Sequence, residues 1–269
     1  MVGWFRQWRR ARVLKRHAVD EALWRVTVAQ YPFTRSLHGP EHERLRELVT
    51  LFLYEKGIHG AGGMIVREDV RIAIAVQACI LILNLALDYY RGWVEVIVYP
   101  DEFVAEREFV DEAGVFHTIE EPMTGESWER GPVILSWADA NEGGRAGGYN
   151  VVIHEFAHKL DMLNGEPNGF PPLHANMSRA AWSGAFSHAY EDFCAKVDSD
   201  DALLDLDDYA AESPAEFFAV MSEAFFESPH SLAALYPDVY AQLVQFYRQD
   251  PATRMPETDS ALAERSLDS

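Results

Sequence analysis

Asn150-Val151-Val152-Ile153-His154-Glu155-Phe156-Ala157-His158-Lys159-Leu160-Asp161-Met162-Leu163, followed by Asn164-Gly165, is the stretch on which the reading of this chain turns. Asn150 suits a helix cap and Asn164-Gly165 a helix stop, so the residues between them read as one helix. His154 and His158 are four apart on it. That spacing sends both imidazoles out of the same face with Cβ atoms ~5–6 Å apart, close enough to share a zinc ion at ~2.0–2.1 Å. Glu155 is offset from the pair, where a carboxylate can take a proton from an attacking water and return it to a leaving amine. Val151, Val152, Ile153, Phe156, Ala157 and Leu160 surround the motif. A helix so flanked is largely buried, and two buried histidines beside a buried carboxylate are costly without a metal or other partners. The expected cofactor is one Zn2+ per chain.

A catalytic zinc needs a third protein ligand and an open fourth position. The residue six beyond His158 is Asn164, so no histidine stands at that spacing. Asp161, three past His158, shares its face of the helix and is one candidate. Its simpler role is as the carboxylate that receives an imidazole N–H. Residues 209–226 hold three more candidates, Glu212, Glu216 and Glu223. Ser213, Pro214 and Glu216 also have the spacing of a capping box. Glu216 therefore has two readings, cap and ligand, which the residues alone leave open.

Around the motif, residues 41–56 have the apolar spacing of an amphipathic helix. Residues 72–87 form an apolar run containing Gln77 and Asn84 and bracketed by Asp69 and Asp88. That is too short and too interrupted for a membrane span, so a buried core helix is expected. Residues 93–99, 114–119 and 132–137 read as strands, and the chain from Asn150 onward reads as helical except over 165–172. The fold class is α+β, mainly helical, with a small sheet beside the His154–His158 helix. Residues 41–256 are expected to form a single domain, 1–40 a partly ordered arm and 257–269 a flexible polar tail. The run Gly143-Gly144-Arg145-Ala146-Gly147-Gly148 reads as a plain flexible connection, and without a Gly-Lys-Ser/Thr ending it is no phosphate loop.

The 269 residues carry a formal charge of −20. Nucleic acid and an anionic membrane would repel such a body, whereas cationic peptides would be attracted. The opening residues are the exception: Trp4, Phe5 and Trp8 lie among Arg6, Arg9, Arg10, Arg12, Lys15 and Arg16. An interfacial basic helix is one reading and a loose terminal arm the plainer one. No secretory signal is recognisable there. Cys79 and Cys194, the only cysteines, have no metal-type spacing, which favours reduced thiols in a cytoplasm.

Several segments together resemble the Mlc titration factor A family of bacterial zinc peptidases. They are Ile97-Val98-Tyr99-Pro100, Gly131-Pro132-Val133-Ile134-Leu135-Ser136-Trp137, the stretch from Asn150 to Asp161, Tyr209-Ala210-Ala211 with Ser213-Pro214-Ala215-Glu216, and Gln245-Phe246-Tyr247-Arg248-Gln249-Asp250-Pro251. The resemblance implies a zincin-like metallopeptidase fold of the gluzincin kind. It implies that His154, His158 and Glu216 hold zinc, that Glu155 is the general base, and that Tyr209 stabilises the oxyanion. Lys159, a charge directly after the second histidine, is expected within the family. A cytoplasmic peptidase, including aminopeptidase activity, is implied, as is an association with a transcriptional repressor of the Mlc type. Residues 132–136, just before the metal helix, are the expected strand for pairing with an extended peptide or protein substrate. The rival class is a regulatory protein that sequesters the repressor and keeps a latent zinc site.

Overall fold

Why a 16-residue apolar run and a histidine-bearing helix can lie side by side is visible in the computed structural model of the chain, which describes residues 2–110, 116–123, 125–127, 131–144, 149–199 and 206–256. In chain order the elements are α1 (Val2–Arg16), α2 (Glu21–Val28), α3 (Pro32–Arg35), α4 (Gly39–Glu55), β1 (Gly57–Gly60), α5 (Glu68–Leu81), β2 (Glu95–Tyr99), β3 (Phe103–Val110), β4 (Phe116–Met123), β5 (Gly125–Ser127), β6 (Val133–Ser136), α6 (Trp137–Glu142), α7 (Val151–Asp161), α8 (Arg179–Asp198), α9 (Pro214–Glu227), α10 (Pro229–Leu235) and α11 (Pro237–Tyr247). Short 3-10 turns join some of them, including Asp208–Ala211. The architecture is mainly helical with a small four-stranded sheet, as the α+β expectation holds.

The sheet runs β1-β2-β6-β5. β1 with β2 and β2 with β6 are parallel, placing Val96 beside Val133 and Val98 beside Leu135. β5 closes the sheet antiparallel to β6, with Gly125 opposite Leu135 and Ser127 opposite Val133. β3 and β4 form a separate antiparallel pair. The expected strand over 114–119 falls partly outside the described residues, as do residues 145–148 of the glycine run and the whole 257–269 tail.

α5 is the buried helix foreseen over 72–87, but it ends at Leu81, where Ile82 caps it. Beyond that point Leu83 and Leu85 take 3-10 hydrogen bonds and Asn84 turns outward to the Arg248 carbonyl oxygen. Gln77, fully buried in the middle of α5, has its amide nitrogen within hydrogen-bond reach of Tyr31 Oη and of the Ala73 and Ala140 carbonyl oxygens, which its two N–H groups share, while its Oε1 has no partner among the described residues. α5 packs against α2, α4 and α7. Val19, Trp24, Tyr31, Phe33 and Leu37, from the region expected to be an arm, belong to the same buried cluster as α5 and α7.

α7 is anchored from the side opposite its histidines. Phe156 sits in an aromatic box with Phe52, Tyr90 and Trp93, ring centroids 5.1–5.7 Å away. Burying a ring of this size contributes roughly 1.5–3 kcal/mol, enough to fix the rotation of a short helix. Lys159 is buried too. Its ammonium donates to the Gly131 carbonyl oxygen and lies 5.3 Å from the Trp93 ring, with Lys56 over the same ring at 4.0 Å.

Candidate metal centre

The first turn of α7 is set by Asn150, whose side-chain oxygen accepts from Ile153 N at 3.0 Å. One turn on, His154 and His158 emerge together, each 7% exposed, and face the first turn of α9. Ser213 caps that helix by accepting from Glu216 N at 3.2 Å, and Pro214 occupies its first turn. The capping box thus forms only in its serine half, and the Glu216 carboxylate goes to the histidines.

His154 Nε2, His158 Nε2 and Glu216 Oε2 form a nearly equilateral triangle with edges of 3.0, 3.1 and 3.1 Å. Three ligands of a tetrahedral zinc at ~2.0–2.1 Å stand about 3.3–3.4 Å apart, so the triangle fits such an ion after small shifts. The tautomer fits as well. Glu223 Oε1 stands 2.7 Å from His154 Nδ1, the acceptor that would hold Nδ1–H and keep Nε2 for a metal ion. Among the described residues, His154, His158 and Glu216 are the group able to hold a metal ion.

Glu223 was one of the alternative ligand candidates; the structure places it behind His154, 1% exposed, rather than in the triangle. Its other oxygen accepts from the Asn150 backbone N–H, and Glu227 accepts from the Asn150 side chain at 2.6 Å. Burial pushes Glu227 up to about 7, with the Asn150 amide opposing. Burial likewise raises Glu223 above the usual carboxylate range, against the pull of His154. Positions 216, 223 and 227 are spaced i, i+7, i+11, so one stripe of α9 serves the site. That spacing was available in the sequence and would have found Glu223 and Glu227 as supports.

Asp161 takes another part than the imidazole partner expected of it. Its Oδ2 accepts from Asn168 N and Gly169 N, both at 2.7 Å, while Oδ1 and His158 Nδ1 have no hydrogen-bond partner among the described residues. The carboxylate is claimed by the loop that folds back after α7. Gly169 makes that return with a positive φ of 75°, and a Cβ there would fall against the Pro214 carbonyl oxygen at the start of α9. Glu212 is exposed.

Glu155 lies beside the triangle, 5% exposed, with Oε2 lacking a partner among the described residues. Burial raises its pKa, and the two imidazoles pull the other way. Burial also works against the charged form of Glu216, but there the imidazole contacts win and hold it well below the ordinary range. The strand nearest Glu155 is β5. Ser127 Oγ donates to the Glu155 carbonyl oxygen at 2.9 Å, and a Cβ on Gly125 would stand 2.5 Å from Glu155 Oε1. β6, which contains Val133, Ile134, Leu135 and Ser136 after Pro132, is hydrogen-bonded to β2 on one side and β5 on the other. The free edge expected over 132–136 is therefore absent, and β5, which no alternating pattern announced, takes that edge.

Tyr209 stands on the turn Asp208–Ala211, its ring centroid 6.1 Å from that of His154 and 36% exposed. Asp207 caps the turn through Tyr209 N, and Tyr190 Oη donates to the Ala211 carbonyl oxygen at 2.9 Å. Cys79 and Cys194 are unbridged. Among the described residues no helix is long and apolar enough to cross a membrane.

A helix carrying two histidines with a glutamate between them, crossed by a second helix that brings a third donor, a carboxylate, is an arrangement shared with metal-dependent hydrolases. The chain belongs to the glucose-regulated metallo-peptidase M90 family, whose sequence model matches residues 5–248. It is similar to the Mlc titration factor A of Yersinia pestis (strain Pestoides F) and to that of Yersinia pseudotuberculosis serotype O:3 (strain YPIII), 35% identical to each over 235 residues, 87% of either chain. The resemblance read from the separate segments of the sequence is borne out.

Proposed function

We propose that this protein is a zinc-dependent peptidase of zincin-like fold. The observation that carries the proposal is the triangle of His154 Nε2, His158 Nε2 and Glu216 Oε2, with the buried Glu155 carboxylate next to it, its Oε2 without a partner among the described residues. These three atoms would hold a zinc ion, which when bound would supply Lewis-acid polarisation of a scissile carbonyl and lower the pKa of a water. Glu155 is placed to take a proton from an attacking water on its carboxylate and to return it to the leaving amine; its burial makes it a stronger base than an exposed glutamate. The Tyr209 phenol donates to the negative charge that develops on the carbonyl oxygen. Glu223 holds the His154 ring in register, and the wall formed by β5 offers backbone groups to an extended peptide.

Hydrolysis of a chromogenic amino-acid anilide panel tests this reading and its aminopeptidase form. Turnover should vanish with chelator, return with zinc, and be nearly absent in Glu155→Gln at unchanged zinc content. Undiminished turnover in Glu155→Gln removes it from the mechanism. A second reading rests on the relatives' name, which speaks of titrating Mlc. In that reading the chain sequesters a repressor of that type, and the triangle is a latent zinc site. Capture of the repressor by the protein together with inactivity across the panel would favour it.

A further inference from the structure

The opening helix has two sides that do different work. On one, Val13 is buried, Arg10 pairs with Glu47 at 3.0 Å and the His17 ring lies 4.9 Å from that of Tyr54, so α1 and the residue after it are seated on α4. Positions 4, 8, 11 and 15 make the opposite stripe. It holds Trp4, 73% exposed, Trp8, 48% exposed, Ala11 and Lys15, and Arg12 and Arg16 flank it, all exposed. Arg12 lies over the Trp8 ring at 5.5 Å. Residues 1–19 contain six of the chain's 23 basic residues and none of its 43 acidic ones.

From this face we infer that α1 is a docking surface for an anionic lipid membrane. Indole rings settle at the level of lipid headgroups, and Lys and Arg beside them reach the phosphates. A side chain as large as Trp4 loses little entropy on docking and gains a partly dehydrated surface. The acidic body does not defeat the contact. A helix is ~10–12 Å across with its side chains, and the Debye length at physiological salt is ~8 Å, so α1 holds the body beyond close repulsion. The helix that carries the stripe has 15 residues, too few to span a bilayer, so α1 would lie on the surface and not cross it.

Sedimentation of the full-length protein with vesicles of phosphatidylcholine alone, and with vesicles half phosphatidylglycerol, tests the inference. Binding should be confined to the anionic vesicles and fall at high salt. Each basic residue at an anionic surface contributes about fivefold to partitioning, so Arg12→Gln/Lys15→Gln/Arg16→Gln should weaken binding roughly a hundredfold. Trp4→Ala/Trp8→Ala should abolish the blue shift of indole emission on binding, at unchanged melting temperature and peptide hydrolysis. Equal binding to neutral vesicles, no binding to either kind, or full binding by the tryptophan variant overturns the inference. So does binding to duplex DNA without binding to vesicles, or a concentration-dependent dimer that the charge variant abolishes without vesicle binding, which would assign the face to nucleic acid or to a second copy of the chain.

Discussion

Glu223→Gln isolates the support behind the metal site without touching the triangle itself. The native carboxylate presents two acceptors to two donors, His154 Nδ1–H at 2.7 Å and the Asn150 backbone N–H. Glutamine offers one acceptor and one NH2, so one of those donors must face another donor. If the amide oxygen stays on Asn150, His154 loses a charge-assisted bond of about 1.5–3 kcal/mol, and its ring is free to turn or to change tautomer. Expressed fully in zinc binding, that is roughly a 10- to 100-fold weaker affinity, the range seen when such outer partners are removed. Competition with a chromogenic zinc chelator measures it, and thermal melting of the apo protein reports the folding cost separately. Glu227→Gln is the matched control: Glu227, pushed up to about 7, is already largely protonated at slightly acid pH and touches Asn150 rather than an imidazole. Zinc affinity of Glu223→Gln within threefold of wild type, or an equal loss in Glu227→Gln, would refute the assignment of Glu223 as the residue that orients His154.

Glu216→Gln should lose most of its zinc while Ser213→Ala, which removes only the cap and costs ~1 kcal/mol, keeps it; equal zinc content in both by elemental analysis would return Glu216 to the cap role. Gly125→Ala should leave the protein folded but cut kcat at least tenfold, because the new Cβ displaces the Glu155 carboxylate; wild-type turnover would show that Glu155 adapts freely. Burial holds Lys56 at about 8, below its ordinary 10.5. Between those values the unfolded chain binds more protons than the folded one, so the penalty, complete below pH 8, is relieved as pH rises. Wild-type stability in urea titrations should therefore climb relative to Lys56→Met between pH 8 and pH 10, and parallel profiles would contradict this.

The metal helix was legible because everything it needs is local: a cap at Asn150, a stop at Asn164-Gly165, and two histidines one turn apart. Glu216 was ambiguous for a physical reason. A carboxylate at the third position of a helix can close a cap within its own turn or point away to a neighbour, and only the crossing of α7 by α9 decides between them. Asp161 shows the converse. It lies three residues past His158 on α7, but the loop ending at Phe170 takes its Oδ2, and nothing within α7 reveals that competitor.

By itself, then, the sequence determined the metal helix, the buried nature of α5, the mixed α+β class and the family, since periodicity, caps and motif order are properties of neighbouring residues. Tertiary structure alone decided that β5 and not β6 forms the edge beside Glu155. β5 is three residues long and owes its existence to pairing with Leu135, Ile134 and Val133, a non-local contact that leaves no period of its own. It also decided that Glu223 stands behind His154 rather than beside it. That depends on the rotation of α9 against α7, which is fixed by packing across both helices and not by the spacing within either.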